Sequence, residues 1–348
     1  TMRKLLLGLV FAMFTTVAHA DYTMVVPQKP GGGTSVWAEI VAKELEKYLG
    51  ENIKIKHIPG ARDIPGFNKW HNEMRNDDKV IMVSHGGNGV AFLQEEVDYD
   101  YRQYESIGLM NLNIIAGKRV GEDMTTPSFA AGSGQTPEAY AMTMLICGPD
   151  KGMDEYIACF KKNVKWIKGM SGSERRLAFK RGELTGTREN PAAYKKHVEP
   201  DENAVIWFHH GILQADGSHA DDPNYPGYQF EVLFEQLWGQ KPSGDFYNAY
   251  KLVKSFRDGM QKALWVNQGN PNAEKLQDAL TAMSNDPDSR AIIEKKVGKY
   301  EWKIGEAGNN HRDTLMTFVT VEALEDLVTF NTQALGLKSV FKIELGLK

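Results

Sequence analysis

Five short turns rich in glycine and hydroxyl residues are the parts of this sequence best equipped for chemistry. The first, Pro30-Gly31-Gly32-Gly33-Thr34-Ser35, lies between a β-rich run at 22–26 and an amphipathic helical pattern opening at Val36. Unpaired backbone N–H groups and the positive end of the helix dipole meet at such a junction. It is therefore suited to a carboxylate or phosphate, which glycines let the backbone approach closely. Thr34 or Ser35 can cap the helix or donate to the anion. A tight strand-to-helix turn with an ordinary serine cap is the alternative. Repetition favours the anion seat: Pro59-Gly60-Ala61, Ser84-His85-Gly86-Gly87, Gly132-Ser133-Gly134-Gln135-Thr136 and Lys168-Gly169-Met170-Ser171-Gly172-Ser173 each follow a predicted strand. In open α/β sheets ligands bind beyond the carboxyl ends of the strands, so these turns are expected to face one cleft.

The elements that must position them are legible as alternating periods. Apolar residues recur at spacings of three and four from 36 to 49, where Gly50 ends the pattern, and Ile53-Lys54-Ile55-Lys56-His57-Ile58 alternates strictly, as a strand does. A second unit runs from the amphipathic stretch 67–74 into Val80-Ile81-Met82-Val83, and 107–116 supplies another strand. The middle segment repeats this logic: Ser128-Phe129-Ala130-Ala131, a helix at 137–145, Val164-Lys165-Trp166-Ile167, a helix at 173–180 and Ala204-Val205-Ile206-Trp207-Phe208. Residues 209–227 form a polar loop, and 247–268, 273–284, 289–297 and 320–335 read as helices. Such alternation implies an α/β fold of two lobes, each a mostly parallel sheet flanked by helices. The boundaries read from the sequence are 21–124 plus 231–348 for the first lobe and 125–230 for the second.

Residues 1–20 are set aside as a secretory signal. Arg3 and Lys4 precede an apolar run from Leu5 to Phe14, and Ala18-His19-Ala20 offers small residues at the cleavage positions. The run is far short of the roughly 20 residues that span a bilayer. The formal net charge is −4, falling to −6 without Arg3 and Lys4, so there is no basic footprint for nucleic acid. Any anion site must be built locally, because the overall field does not attract anions. The two cysteines, Cys147 and Cys159, are either a disulfide, which export permits, or two buried small hydrophobes.

Other chemistries find little support. His85-Gly86-Gly87-Asn88-Gly89 is of the oxyanion-loop type of lipase-like hydrolases, but no Gly-x-Ser-x-Gly elbow accompanies it. His85 then reads as a cleft-wall or packing histidine. No dinucleotide or P-loop motif occurs, and no cofactor is expected. His209, His210, Asp216, His219, Asp221 and Asp222 lack metal-ligand spacing. They read as a solvated loop, and no metal is expected.

Several motifs together resemble the extracytoplasmic binding proteins of tripartite tricarboxylate transporters, the Bug family. Val25-Val26-Pro27 through Pro30-Gly31-Gly32-Gly33-Thr34, the helix ending Leu49-Gly50 and the strand closing on Pro59-Gly60-Ala61 match that family's opening in order and spacing. Gly132-Ser133-Gly134, Trp166-Ile167-Lys168-Gly169 and Arg181-Gly182-Glu183-Leu184 resemble its second-lobe turns. The resemblance fades after about Glu231.

It implies a two-lobed Venus flytrap, not an enzyme, monomeric and periplasmic, which captures a small carboxylate and delivers it to the transporter's membrane subunits. Signalling to a membrane sensor is the alternative use. Residues 30–35 with Gly60 and Ala61 would hold the carboxylate, with Ser84 and His85 on the cleft wall. Ser133, Gly134, Gln135, Thr136, Gly169 and Ser171 would select the rest of the ligand, with Arg188 and Asn190 as candidates on the crossing segment. The sequence departs from the family at Ser35 and Thr185, where it has Asp, at Ile167, where it has Tyr, and at Gln135 and Glu138, where it has Thr and His. Glu138, if it points to the cleft, suits an amine or hydroxyl more than a second carboxylate; otherwise it is an exposed first-turn residue.

Overall fold

A computed structural model describes residues 21–131 and 136–337. The signal segment and four residues of the second-lobe turn, including Ser133, Gly134 and Gln135, lie outside the described residues. The chain opens as its periods predict, with β1 (Tyr22–Val26), α1 (Gly33–Leu49), β2 (Ile53–His57), α2 (Ile64–Lys69), β3 (Val80–His85) and β4 (Tyr104–Met110). It continues as β5 (Ile115–Arg119), β6 (Ser128–Ala131), α3 (Pro137–Cys147), α4 (Met153–Asn163), β7 (Lys165–Lys168), α5 (Gly172–Lys180), β8 (Gly186–Glu189), α6 (Pro191–His197) and β9 (Ala204–His209). A short hairpin follows, β10 (Ile212–Leu213) and β11 (His219–Ala220), then α7 (Phe230–Trp238), α8 (Asp245–Gly259) and β12 (Lys262–Asn267). The last elements are α9 (Ala273–Asn285), α10 (Pro287–Val297), β13 (Trp302–Ile304), α11 (Glu306–Met316) and α12 (Val321–Gln333).

One sheet has the order β13-β4-β12-β3-β1-β2. Its strands alternate between two cores, as a pleat requires. Met24, Val26, Ile81, Val83, Leu264 and Val266 face Trp37, Val41 and Leu45 of α1 and Leu276 and Leu280 of α9. Val25, Val80, Met82 and Trp265 face the aromatic layer of Phe67, Trp70, Tyr101 and Tyr104. Gly50 ends α1 in the left-handed region (φ 71°), donating its N–H to Glu46 O. The other lobe holds the sheet β8-β5-β9 and the pair β6-β7, over a small core of Ile115, Phe179, Leu184 and Tyr194. Among the described residues no helix is long and apolar enough to cross a membrane.

The α/β, two-lobed architecture is as expected, but strand directions are mixed instead of mostly parallel. β1 runs parallel to β2 and β3, and β6 to β7, whereas β12, β13 and all three strands β8-β5-β9 pair antiparallel. Parallel pairing needs a crossover connection; β12 instead re-enters the sheet directly from α8.

Three further expectations meet a different structure. The stretch 247–268 is not one helix: α8 ends at Gly259, and Lys262-Ala263-Leu264-Trp265-Val266-Asn267 is a central strand. A short, wholly buried apolar run carries no period to separate helix from strand. The chain also does not return at 231. α8 packs on α3 and α12, α12 packs on α4, and α7 packs on α3, so the six-stranded sheet is regained only at Lys262. The run 107–116 is two strands separated by Asn111-Leu112-Asn113-Ile114, which carry the chain between sheets.

Candidate functional site

The turn after β1 is an uncapped helix start. Gly31 is in the left-handed region (φ 80°) and Gly32 is the N-cap, with no side-chain cap bond and no acid in the first turn of α1. Ser35 does not cap, since its hydroxyl donates to Glu39 Oε1 at 2.8 Å. The first turn of α1 therefore supplies no counter-charge of its own to the positive N-terminal end of the helix dipole. Pro30, Gly31 and Gly32 line one depression of about 770 Å³ with Gly60, Ala61 and Asp63. The two turns pack this closely because glycine occupies Gly60 and Gly66: a Cβ would lie 2.4 Å from Pro65 Cγ at the first, and 2.3 Å from Ile58 O and 2.9 Å from Pro27 Cβ at the second. Arg62 and Asp63 take positive φ, 54° and 64°, a costly conformation for residues with side chains. It brings the Asp63 carboxylate to 2.7 Å from His85 Nε2. His85 Nδ1 accepts from Gly87 N at 3.1 Å. The Gln28 side-chain amide is 2.5 Å from the same Nε2.

Behind α1 lies a residue that sequence reading did not single out. Lys262, 8% exposed, donates from Nζ to Thr34 Oγ1 at 2.9 Å. Burial pushes its pKa down to about 8, with Asp63 opposing and Arg257 adding to the fall. The only signal for it was a lysine opening an otherwise apolar run, and the helical reading of that run hid its position opposite His85 in the sheet.

The other lobe contributes a buried charged cluster. Glu138 is wholly buried, not the exposed first-turn residue of the alternative reading. Its Oε1 lies 3.3 Å from Arg188 Nη1 and 3.7 Å from His210 Nε2. Burial by itself would raise its pKa, but Arg188 and Arg257 hold the carboxyl well below the usual range. Asp258 is instead pushed up to about 6 by burial, against the pull of His210 and Arg257. Glu138 Oε2, Arg188 Nε and His210 Nε2 are buried without a hydrogen bond among the described residues. Thr136, 1% exposed, begins α3 beside this cluster.

Other predicted residues are committed to local structure. Ser84 Oγ accepts from Trp265 Nε1 at 2.8 Å in the core. Ser171 and Asn190 cap α5 and α6, accepting from Glu174 N and Ala193 N at 3.3 and 2.9 Å. Gly169 is exposed at φ 84°. The loop at 209–227 is not simply solvated: His209, His210 and Asp222 are buried, and they fasten the crossing segment. Asn113 donates to Asp222 Oδ2 at 3.1 Å and accepts from His210 N at 3.1 Å. Among the described residues no group of three or more His, Cys, Asp or Glu is placed to hold a metal. Cys147 and Cys159 are bonded, Cα atoms 6.2 Å apart, joining the end of α3 to α4.

No protein-family profile and no curated protein matches the chain. Solved structures do. The periplasmic binding protein BugD is 16% identical with a TM-score of 0.55, over 91% of this chain and 98% of that one. A TctC solute-binding protein from Polaromonas is 14% identical with a TM-score of 0.55, over 87% of this chain and 100% of that one. MatC from Rhodopseudomonas palustris, solved with bound malate, is 15% identical with a TM-score of 0.50, over 90% of this chain and 98% of that one. Sheets, crossing segment and likeness over nearly the full length of these proteins agree: this chain has the two-lobed fold of the periplasmic binding proteins.

Proposed function

We propose that this protein is an exported solute-binding protein that captures a small carboxylate between its lobes and hands it to the membrane subunits of a tripartite tricarboxylate-type transporter. The observation that carries this reading is the uncapped start of α1, where Gly31 and Gly32 share a depression with Gly60 and Ala61. Its bare amides fit an anionic headgroup. MatC's bound malate supports a carboxylate as the class. Selection of the remainder of the ligand falls to the other lobe, with Ser133, Gly134, Gln135, Thr136 and Arg188 as the candidates. Closure is favoured only when both lobes touch the ligand.

A thermal-shift screen of malate, other mono- and dicarboxylates, amino acids and aromatic acids tests this, because a ligand bound only by the folded state raises Tm by mass action. Stabilisation by at least one acid is expected. A flat response across the panel would overturn the reading. Co-purification with transporter membrane subunits, against a membrane sensor, separates the two uses of the same fold.

A further inference from the structure

Lys262 is a buried ammonium that no carboxylate of the described residues contacts. Its ammonium has three N–H donors, and the Thr34 hydroxyl takes one of them at 2.9 Å. Among the described residues no carboxylate lies within ion-pair distance of it; Asp63 acts on it through space while its oxygen engages His85. The neighbouring charge Arg257 has the same sign, and so does the N-terminal end of α1, which has no acid in its first turn. A buried ammonium facing a second cation and a helix N-terminus is costly. The ammonium meets α1 at Thr34, in the first turn that follows Gly31 and Gly32 of the depression.

We propose that Lys262 is the counter-ion of the bound ligand: together with the first-turn amides of α1 it holds the ligand's headgroup as an anion, so the site takes ionised acids and rejects their neutral amides. This rests on the carboxylate-binding reading above and narrows it. Overall negative charge cannot draw an anion in, and a local buried cation supplies what the chain's field lacks. Anion binding also favours the charged lysine, so capture of an acid is accompanied by proton uptake where the free side chain is partly neutral. The groups facing Lys262 are Asp63 from the turn after β2, His85 from β3, Thr34 from α1 and Arg257 from α8. Of these, Arg257, pushed down to about 10 chiefly by burial, titrates above the window used.

The test compares wild type with Lys262→Met and Lys262→Arg, with malate, its diamide and a panel of monocarboxylates as probes, by calorimetry and thermal shift between pH 7 and 9. Wild type is expected to bind an acid but not the amide, with affinity declining from pH 8 to 9. Lys262→Met is expected to bind the acid about 10- to 100-fold more weakly, the range of a charge-assisted hydrogen bond, and to lose the pH dependence. Without ligand its Tm should be equal or higher, since a buried unpaired charge has been removed; this separates lost binding from lost folding. Lys262→Arg should keep part of the affinity and show no decline to pH 9. Equal acid affinity in wild type and Lys262→Met overturns the role of Lys262 and leaves the carboxylate reading standing, whereas equal binding of acid and neutral diamide by wild type counts against both. No binding of any acid by wild type overturns both.

Discussion

Glu138 Oε1 and Arg188 Nη1 lie 3.3 Å apart with side chains 0% and 9% exposed, an ion pair wholly inside the protein. Such a pair is costly to break and much less costly to replace. Removing one partner leaves an uncompensated buried charge, at about 3–5 kcal/mol. Glu138→Ala should therefore lower the unfolding free energy by about that amount, while Glu138→Leu with Arg188→Met should recover most of it. Urea unfolding at pH 7 measures both. Equal loss in the single and double variants would show that the pair is not coupled as described.

Gly32→Val should separate binding from folding. A Cβ there meets nothing closer than Lys29 O at 3.5 Å, and φ −69°, ψ 160° suits a β-branched residue. Stability should change by less than about 0.5 kcal/mol, while the isopropyl group blocks approach to the α1 amides and acid-induced stabilisation disappears. Gly60→Val is the contrast. Its Cβ would fall 2.4 Å from Pro65 Cγ, so melting itself should drop, by about 1–3 kcal/mol of overpacking. Retained ligand-induced stabilisation in Gly32→Val would remove the turn from the site.

Asp258 gives a pH signature. Its pKa rises from the ordinary 3.8 to about 6 on folding, chiefly through burial. The folded state then binds more protons than the unfolded state between about pH 4 and 6, and this group's contribution to stability is lost as pH rises through that window. Two units correspond to about 3 kcal/mol. Asp258→Asn can still accept the Ile114 N–H, now 3.4 Å from Oδ2, and should be more stable than wild type at pH 7 but not at pH 4. His311 acts in the opposite sense: burial lowers its pKa to about 4, so its contribution is lost as pH falls from about 6.5. The comparison must therefore be wild type against variant, by melting at several pH values. A constant difference from pH 4 to 7 would contradict the assignment.

The Cys147–Cys159 bond closes a separation of 12 residues. Restricting a loop of that size in the unfolded chain is worth about 3 kcal/mol. Cys147→Ser with Cys159→Ser should lower stability by about that amount, and reductant should do the same to wild type but not to the variant. Since the bond joins α3 to α4, away from the Gly31 depression, acid affinity should not change.

The amino-acid sequence by itself determined the alternation of strands and helices, and hence the α/β class. It also determined the glycine turn before α1, a breaker cluster between a β-period and a helical period, but left open whether Thr34 or Ser35 caps the helix; the structure decides that, since Ser35 donates to Glu39 instead. It did not determine strand direction, because pairing partners are set by where the chain re-enters a sheet. Lys262-Ala263-Leu264-Trp265-Val266-Asn267 shows this well, a run with no period that only the neighbours β3 and β4 make a strand. Nor could it separate the two readings of Glu138, whose burial depends on Arg188, 50 residues away. Lys262 reaches Thr34 across a separation of 228 residues. Local propensity acts over a few residues, whereas the charges that compensate or compete at a site are brought together only by packing.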